Sequence, residues 1–580
     1  MRERWILETK KADFEGLAGK LSVPPLLVRC MVNRGLETEE EMRRYLYGGV
    51  EDLHDPRQMK GVLEAVELLR QTEARGERVG IASDFDCDGI FSAYILWLGF
   101  RQVGLTGNIY TPDRIIEGYG LNRRIVNEAK AAGVTVLVTC DNGIAANEAV
   151  TYAKEQGMAV IVTDHHEVQE ELPPADVIVD PKQDGETYPF CGLCGAGVAF
   201  KLICALYDAC GVVEEEKWKL LEYTAIATVA DVMELRDENR ILVKCGLQQL
   251  EKTSHVGLRA LLEVQGMAGK RLNAGHIGFV IGPCFNAAGR ISTVAASFDL
   301  LMETEYGEAL KKAQKLKEIN EARKAMTEEG VKQAFAMLED KPLSDVLVLL
   351  LPDVHESLAG IVAGRIKENT GHPVIVFTRI SDGNVKGSGR SIEAYHMFHE
   401  LLLCKDLMSR FGGHKMAAGM TLPEANLPEL TRRLNEQSVL SAQDFCPVVK
   451  IDAAMPVGYA TERLIEEFER MEPFGVGNPK PVFAEQHFSV LRAQQLGKDG
   501  NVLKMHVQNR LGNRCEAMLF RGKEEFEQFL VENFGERELK RMYEGKENDI
   551  DVAFTYFPIL NEFRGSRTVQ IQVSGYCRIE

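Results

Sequence analysis

Three short apolar runs, rich in β-branched residues, alternate with longer amphipathic stretches in the first third of the chain. The runs are 79–82, 134–138 and 159–162, and the stretches between them include 122–132 and 145–156. Strands that are apolar throughout are typical of parallel sheets covered on both faces. The alternation therefore predicts βαβ units in a doubly wound sheet, a fold that binds ligands at the carboxyl ends of its strands.

Four short acidic or Asp/His motifs follow apolar segments, each at the end of its own predicted strand or helix. In chain order they are Ser83-Asp84-Phe85-Asp86-Cys87-Asp88-Gly89, Cys140-Asp141-Asn142-Gly143, Thr163-Asp164-His165-His166 and Ala230-Asp231-Val232. Each motif alone has a structural explanation, since Asp-rich turns commonly cap helices. Their joint placement at strand and helix ends predicts one site.

The residue types in these motifs favour a divalent cation. Carboxylates with a single imidazole suit Mn²⁺ or Mg²⁺ better than Cu²⁺, and about five carboxylates suffice for two ions roughly 4 Å apart. Asp231, at the end of a predicted helix, opposes the helix dipole, which a metal would explain. We find no Gly-x-Ser-x-Gly elbow and no Walker loop, so the pattern predicts metal-assisted phosphoester hydrolysis without a protein nucleophile.

The remaining sequence predicts further domains. A second, smaller α/β unit begins near Leu343, and the proline-free segment 304–340 is rich in Lys, Glu and Ala, which favours a long connecting helix. Alternating stretches after Cys446 predict a small β domain, which we interpret as an antiparallel barrel, and an OB-like barrel is the commonest such module that holds single strands. We expect an N-terminal helical segment, a catalytic domain, the connecting helix, the second α/β domain and the barrel, at 1–70, 71–300, 301–341, 342–445 and 446–580.

Composition excludes some classes of protein. The net charge of -18 argues against a chain that coats nucleic acid non-specifically, so any basic groove must be local. The thirteen cysteines are scattered without a framework spacing, and the Met1 end carries no apolar signal segment. The longest apolar runs are far too short to cross a bilayer. We expect a cytoplasmic protein.

The four motifs resemble those of the DHH phosphoesterase superfamily, Asp164-His165-His166 above all. Further segments are similar to its single-strand-specific exonuclease branch, the RecJ family, over nearly the whole chain. These segments are Pro112-Asp113-Arg114-Ile115-Ile116-Glu117-Gly118-Tyr119-Gly120, Gly282-Pro283-Cys284-Phe285-Asn286-Ala287-Ala288-Gly289-Arg290, Gly387-Ser388-Gly389-Arg390-Ser391, Phe411-Gly412-Gly413-His414-Lys415-Met416-Ala417-Ala418-Gly419 and Glu472-Pro473-Phe474-Gly475-Val476-Gly477-Asn478-Pro479. The resemblance implies a DHH domain, a DHHA1 domain and an OB-like barrel.

The resemblance also implies roles for individual residues. Five would be metal ligands, namely Asp86, Asp88, Asp141, His165 and Asp231. Asp84 and Asp164 would be ligands or neighbours of ligands, and His166 would face the scissile phosphate. A turn formed by Gly412, Gly413 and His414 would close over that phosphate from the second domain. Four residues would hold the 5′ end and adjacent phosphates, namely Arg114, Arg290, Ser388 and Arg390.

By the same resemblance, the expected function is a metal-dependent, single-stranded-DNA-specific 5′→3′ exonuclease that releases mononucleotides in recombination and repair. A single-strand-binding protein and a RecQ-type helicase are expected partners of a monomer. Three alternatives stay open: a phosphodiesterase acting on small nucleotides or short oligoribonucleotides, a scaffold that only binds strands, and an RNA-specific exonuclease. The presence of all the ligand acids argues against the scaffold, and the barrel argues for a polymeric substrate.

Overall fold

A computed structural model describes residues 3–113, 117–339, 342–380, 383–497, 500–563 and 565–579. Their contacts define two units, one of His54–Met233 with Cys245–Pro447, the other of Glu3–Leu53 with Glu234–Lys244 and Val448–Glu580. Among the described residues, no helix is both long enough and apolar enough to cross a lipid bilayer.

The strands run in chain order as follows: β1 (Arg4–Leu7), β2 (Arg78–Ser83), β3 (Thr106–Tyr110), β4 (Val134–Cys140), β5 (Ala159–Thr163), β6 (Val177–Val179), β7 (Leu347–Leu350), β8 (Val374–Arg379), β9 (Asn384–Arg390), β10 (Arg410–His414), β11 (Ala417–Pro423), β12 (Val448–Ile451), β13 (Ala453–Ala454), β14 (Phe483–Leu496), β15 (Val502–Asn509), β16 (Arg514–Leu519), β17 (Asp551–Phe563) and β18 (Ser566–Cys577).

The α-helices are α1 (Phe14–Leu21), α2 (Pro25–Asn33), α3 (Glu39–Tyr47), α4 (Val62–Ala74), α5 (Cys87–Gln102), α6 (Arg123–Ala131), α7 (Asn147–Glu155), α8 (Gly195–Cys210), α9 (Glu214–Trp218), α10 (Leu221–Ala230), α11 (Asp237–Leu250), α12 (Val256–Val264), α13 (Ala274–His276), α14 (Gly282–Ile291), α15 (Ala295–Leu301), α16 (Tyr306–Leu338), α17 (Ala359–Thr370), α18 (Met397–Leu402), α19 (Leu427–Glu436), α20 (Glu462–Glu469), α21 (Lys523–Phe534) and α22 (Glu536–Tyr543).

The first sheet of the larger unit has the order β3-β2-β4-β5-β6, and all its pairings are parallel. Leu137 and Val160 belong to a core shared with α6 and α7, while α5 and α8 pack against each other and contact the strands. The strand order reverses between β2 and β4, and such a switch point is where doubly wound sheets bind ligands. The prediction of a doubly wound parallel sheet is confirmed.

The second sheet of this unit has the order β10-β11-β9-β8-β7, in which only β7 and β8 pair in parallel. Its faces are covered by two cores, one containing Val376 and α17, the other Phe377 with α18 and α19. Helix α16, with 33 residues, is about 50 Å long and leads into this sheet. The predicted connecting helix and the smaller α/β domain are therefore present.

The other unit contains a β-barrel. Strands β14, β15, β16, β18 and β17 pair in this order, and the pairing of β17 with β14 closes the ring. Helices α1 to α3 share the barrel's hydrophobic core, and β1 pairs in parallel with β12. The predicted OB-like barrel is confirmed. The sequence did not indicate that the N-terminal helices pack with it.

Candidate metal and phosphate site

The conformation of the loop after β2 is fixed by the Ser83 hydroxyl group and by Gly89. The Ser83 hydroxyl lies 2.7 Å from both the Asp84 and the Gly89 carbonyl oxygens. A Cβ at Gly89 would lie 2.7 Å from the Asp84 carbonyl oxygen, so a larger residue would displace the loop. The carboxylates of this motif are thereby fixed at the carboxyl edge of the sheet.

Asp86 and Asp88 have different structural roles within that loop. Asp86 is the N-cap of α5, and its Oδ1 accepts from the backbone N–H groups of Asp88 (3.0 Å) and Gly89 (3.1 Å). Asp88 is already helical, and its carboxylate accepts from the N–H groups of Gly195 (2.6 Å) and Ala196 (2.8 Å) at the start of α8. The positive end of that helix stabilises the Asp88 charge. The two acids therefore flank the start of α5.

The end of β4 presents Asp141 in a left-handed conformation, with φ 58°. The next side chain, Asn142, donates to the carbonyl oxygens of Ala82 and Cys140 and accepts from the Leu121 N–H. Asn142 thus ties β2 to β4 at the switch point. The sequence placed it beside a ligand candidate but did not predict this role.

His165 brings the carboxylates together. Its Nε2 lies 3.0 Å from an oxygen of Asp141, 3.6 Å from one of Asp88 and 3.8 Å from one of Asp231. Asp231 caps the carboxyl end of α10, which begins at Leu221. Burial lowers the pKa of His165, so a neutral ring nitrogen faces three carboxylates. That arrangement is electrostatically unfavourable unless a cation lies between them.

Asp164 organises the two histidines. Its carboxylate accepts from the backbone N–H groups of Ile144, His165 and His166, and lies 2.7 Å from His166 Nδ1. This hydrogen bond to Asp164 raises the pKa of His166 to about 9. The His166 side chain is 57% exposed, so its other ring nitrogen can reach a substrate.

The clustered acids have unusual ionisation. Burial first, and then the charge of Asp88, raise the pKa of Asp86 and of Asp141, the latter well above its usual value. The same causes raise the pKa of Asp231 to about 8. Carboxylates this close together repel one another when all are ionised. A multivalent cation bound among them would stabilise their charged forms.

Three overlapping groups of side chains have donor atoms within 4.8 Å of one another. They are Asp84, Asp86 and Asp141; Asp88, His165 and Asp231; and Asp141, His165 and His166. These oxygen-rich groups fit Mn²⁺ or Mg²⁺, and their overlap at Asp141 and His165 fits two neighbouring ions. The structure thus brings together the five side chains predicted as ligands and Asp84, whereas Asp164, although described, belongs to none of these groups.

The predicted phosphate-binding residues that the structure describes lie in helix α14 and strand β9 of the larger unit. Arg290, near the end of α14, donates from Nη1 to the Ser357 carbonyl oxygen at 3.0 Å. Arg390 donates to the Ser388 hydroxyl (3.2 Å) and to a backbone oxygen beside it. Arg114 lies outside the described residues.

The segment expected to form a turn over the phosphate is instead a strand. Gly412, Gly413 and His414 belong to β10 and pair with residues of β11. Among the described residues, none of the three belongs to a metal-ligand group. A Cβ at Gly413, where φ is +146°, would lie 2.4 Å from the Ala417 carbonyl oxygen, so this glycine is required by the hairpin itself.

Asn286 is a residue that the sequence did not single out. Its Oδ1 accepts from the Cys87 N–H at 2.9 Å, which fixes α14 against the loop that carries the carboxylates. Asp180, buried after β6, is another, and burial raises its pKa to about 7. The position of Asp180 after a fifth short strand was the available signal.

A groove of about 730 Å³ lies on the barrel of the other unit. Its lining includes four basic side chains and one acidic one, namely Arg492, Lys504, His506, Arg514 and Glu516. Lys504 pairs with Glu516 at 2.6 Å. The groove is a local concentration of basic side chains on a chain whose net charge is -18.

Three family models match the chain. The model described as the DHH family, N-terminal domain, matches residues 78–230, the DHHA1 domain matches 344–439, and the RecJ OB domain matches 451–575.

Among curated proteins, the single-stranded-DNA-specific exonuclease RecJ of Bacillus subtilis is 36% identical over 511 residues, covering 87% of this chain and 64% of that relative. The chain thus spans less than two thirds of that protein. The protein of the same name from Salmonella typhimurium is 33% identical over 598 residues, covering 98% of this chain and 99% of the relative.

Solved structures agree. RecJ from Thermus thermophilus in complex with Mn²⁺ superimposes with a TM-score of 0.81 at 27% identity, covering 100% of this chain and 80% of that one. The corresponding Mg²⁺ complex has a TM-score of 0.75 at 26% identity, covering 100% and 79%. The expected Mn²⁺ or Mg²⁺ cofactor is confirmed by these complexes together with the ligand groups. By its sequence, its three domain matches and its fold, the chain belongs to the RecJ family of single-stranded-DNA-specific exonucleases.

Proposed function

We propose that this protein is a metal-dependent exonuclease that degrades single-stranded DNA from the 5′ end and releases mononucleotides. The observation that carries the proposal is the ligand cluster at the switch point of a doubly wound sheet, in a chain that belongs to this family. The basic groove of the barrel supports a polymeric substrate over a small nucleotide.

The ligand groups divide naturally between two ions. Asp84, Asp86 and Asp141 would hold one, and Asp88, His165 and Asp231 the other. When bound, the ions supply an activated water and neutralise charge on the phosphoryl and leaving oxygens. Asp88 is also fixed by two backbone N–H groups of α8, so its orientation does not depend on the metal.

His166 supplies a hydrogen-bond donor at the phosphate. Because Asp164 holds Nδ1, the proton-bearing Nε2 can point outward to a non-bridging phosphate oxygen or to the leaving oxygen. With its pKa raised to about 9, the ring is protonated at neutral pH and complements the negative charge of the substrate.

The guanidinium groups of Arg290 and Arg390, with the Ser388 hydroxyl, would bind the 5′-terminal phosphate. A guanidinium binds two phosphate oxygens at once, which fixes the strand end as well as attracting it. We also propose that Arg114 and the β10 residues Gly412, Gly413 and His414 contribute to binding the strand near the scissile phosphate.

The barrel would bind the strand farther from its end. Arg492, Lys504 and Arg514 can contact successive phosphates along the groove, as in other OB-type folds that hold single strands. The overall charge of -18 opposes binding elsewhere on the surface.

We further propose that the enzyme acts as a monomer in the cytoplasm, in recombination and repair, alongside a single-strand-binding protein and a RecQ-type helicase that present the strand. We propose the same domain limits as predicted from the sequence. They are 1–70 for the N-terminal segment, 71–300 for the catalytic domain, 301–341 for the connecting helix, 342–445 for the second α/β domain and 446–580 for the barrel.

Digestion of end-labelled strands tests the function. Wild type and Asp141→Ala are incubated with Mn²⁺ and with 5′-labelled or 3′-labelled single-stranded DNA, a matching duplex or RNA. We expect immediate release of labelled mononucleotide from the 5′-labelled single strand alone, and its loss in Asp141→Ala. Absence of strand cleavage by wild type, with hydrolysis of a dinucleotide instead, would overturn the proposal.

A further inference from the structure

The segment 355–360 contacts both arginines proposed to bind the terminal phosphate. We propose that Ser357 is a positioning residue that holds the Arg290 guanidinium at a set distance from Arg390 and Ser388, and so determines recognition of a 5′-phosphate. The inference rests on the proposed function, since it concerns the end of the same substrate.

The backbone just before Arg290 packs against the loop that carries the metal-ligand candidates. The preceding Gly289 packs so closely on the loop after β2 that a Cβ would lie 2.3 Å from the Phe85 carbonyl oxygen. Asn286, in the same helix, accepts a hydrogen bond from the Cys87 N–H at 2.9 Å. The part of α14 that carries Arg290 is therefore packed against the loop that carries Asp86 and Asp88.

On its other side, Arg290 forms reciprocal hydrogen bonds with Ser357. The guanidinium Nη1 donates to the Ser357 carbonyl oxygen at 3.0 Å, and the Ser357 hydroxyl lies 3.1 Å from the Arg290 carbonyl oxygen. Ser357 is buried, at 6% exposure, in the short 3₁₀ turn before α17. Both the main chain and the side chain of Arg290 are thus held by one residue of the second α/β domain.

The His355 side chain hydrogen-bonds with Ser357. Its Nδ1 accepts from the Ser357 N–H and lies 2.7 Å from the Ser357 hydroxyl. The ring acts as the N-cap of the 3₁₀ turn, which fixes the direction of the Ser357 carbonyl group. Loss of the ring would loosen the acceptor that orients Arg290.

The same segment sets the position of the second arginine. A Cβ at Gly360, in the first turn of α17, would lie 2.7 Å from Arg390 Nη2 and 2.8 Å from the Ser388 hydroxyl. Backbone therefore packs directly on both groups. Ser357 and Gly360 are only three residues apart, so the short segment fixes the distance between the two guanidinium groups.

Binding measured without turnover tests the proposal. A 3′-labelled oligothymidylate carrying either a 5′-phosphate or a 5′-hydroxyl is titrated in EDTA with wild type, Ser357→Ala and Thr370→Ala. The last variant is a matched control, because Thr370 makes a backbone hydrogen bond at the opposite end of α17. We expect wild type to prefer the 5′-phosphate by about 10-fold, as a charge-assisted hydrogen bond supports, and Thr370→Ala to keep that preference.

Ser357→Ala keeps the carbonyl oxygen that accepts from the Arg290 guanidinium but removes the hydroxyl that contacts the Arg290 carbonyl oxygen and His355, so this acceptor is no longer held in place. The variant is therefore expected to lose most of the preference while binding the 5′-hydroxyl strand as wild type does. In Mn²⁺ it should raise KM for the phosphorylated strand with little change in kcat. Equal weakening for both strands, or an unchanged preference, would overturn the proposal, as would a wild type indifferent to the 5′-phosphate. His355→Leu provides a second variant that retains the Ser357 hydroxyl, and it should shift the preference in the same direction.

These outcomes are separable from failure of the proposed function. Binding in EDTA does not require hydrolysis, so a wild type that binds the 5′-phosphate selectively but cleaves nothing would support the role of Ser357 and contradict the exonuclease. Cleavage without 5′-phosphate preference would have the opposite meaning.

Discussion

At the scale of single residues, the site depends on acids whose surroundings assign them different roles. Asp88 is bonded to backbone N–H groups of α8, Asp86 caps α5, and Asp164 holds His166. Only the first two belong to groups with metal-ligand spacing. Substitution of Asp86 or Asp88 should therefore lower the affinity for the metal as well as kcat, whereas substitution of Asp164 should lower kcat alone.

Asp164→Asn should lower kcat without removing the metal. The Asp164 carboxylate holds the His166 Nδ1–H and raises the pKa of that ring. The substitution removes this negative charge. Positioned acid–base groups contribute factors of about 10² to 10⁴, so we expect a loss of kcat in that range. Calorimetric titration with Mn²⁺ should give near-wild-type affinity. Asp176→Asn, at an ion pair with Lys154, is the matched control, and loss of Mn²⁺ binding in Asp164→Asn would contradict the assignment.

Glu222 should make stability depend on pH. It is buried in α10 beside Tyr223 and Thr253, and burial raises its pKa from 4.5 to about 7. Because the unfolded state releases the proton at lower pH, the folded state loses stability as pH rises from about 4.5 to 7. Glu222→Gln removes this loss.

We therefore expect Glu222→Gln to be more stable than wild type above pH 7, by about 1 to 3 kcal/mol, with little difference near pH 4.5. Denaturant unfolding at both pH values measures the change, and the exposed Glu215→Gln serves as the control. A stability difference independent of pH would show that Glu222 is not protonated in the folded protein.

At the scale of elements, the long helix α16 contains a glycine in its interior, Gly330, whose role is close packing. A Cβ there would lie 3.0 Å from Val354 and 3.1 Å from Val362. Helix propensity alone disfavours glycine by about 1 kcal/mol relative to alanine. Its presence is explained by the approach of α16 to α17, which orders the second α/β domain.

Gly330→Leu should consequently destabilise the protein by about 1 to 3 kcal/mol, because overpacking forces neighbouring side chains from their preferred rotamers. Gly307→Ala near the start of the same helix meets nothing within 4 Å and should be neutral or slightly stabilising. Thermal unfolding compares the two variants. A neutral Gly330→Leu would mean that α16 and α17 can separate at little cost.

At the scale of the whole molecule, 86 acidic and 68 basic side chains leave few places where a polyanion can bind. The structure collects basic side chains in the barrel groove and arginines beside segment 355–360. Binding of single strands should therefore rely on few phosphate contacts, and each of these contacts should weaken as salt is added.

Removal of groove cations should reduce that salt dependence. For a single strand, the slope of log K against log salt falls by about 0.7 for every phosphate that the protein no longer neutralises. We expect Arg492→Ala combined with Arg514→Ala to lower it by about 1.4. Anisotropy titrations at several salt concentrations measure the slope. Lys540 is an exposed residue of α22, and Lys540→Ala should leave the slope unchanged. An unchanged slope in the double variant would show that the groove does not bind the strand.

Much of the local structure and most of the site residues could be predicted from the sequence alone. The strands after which Asp84, Asp141 and Asp164 lie are short, apolar and β-branched, and these properties are local. The order of the motifs along the chain placed them at the carboxyl edge of one sheet. The family resemblance then supplied their roles.

Other features depended on tertiary structure. The N–H groups that hold Asp88 come from Gly195 and Ala196, and the acceptor that orients Arg290 is Ser357. The helices α1 to α3 complete the core of a barrel formed by the other end of the chain. No local pattern encodes such pairings, because they depend on which distant backbone groups the topology brings within hydrogen-bonding distance. The sequence by itself therefore determined the elements and the chemistry they carry, whereas only the tertiary structure decided which groups hold that chemistry in place.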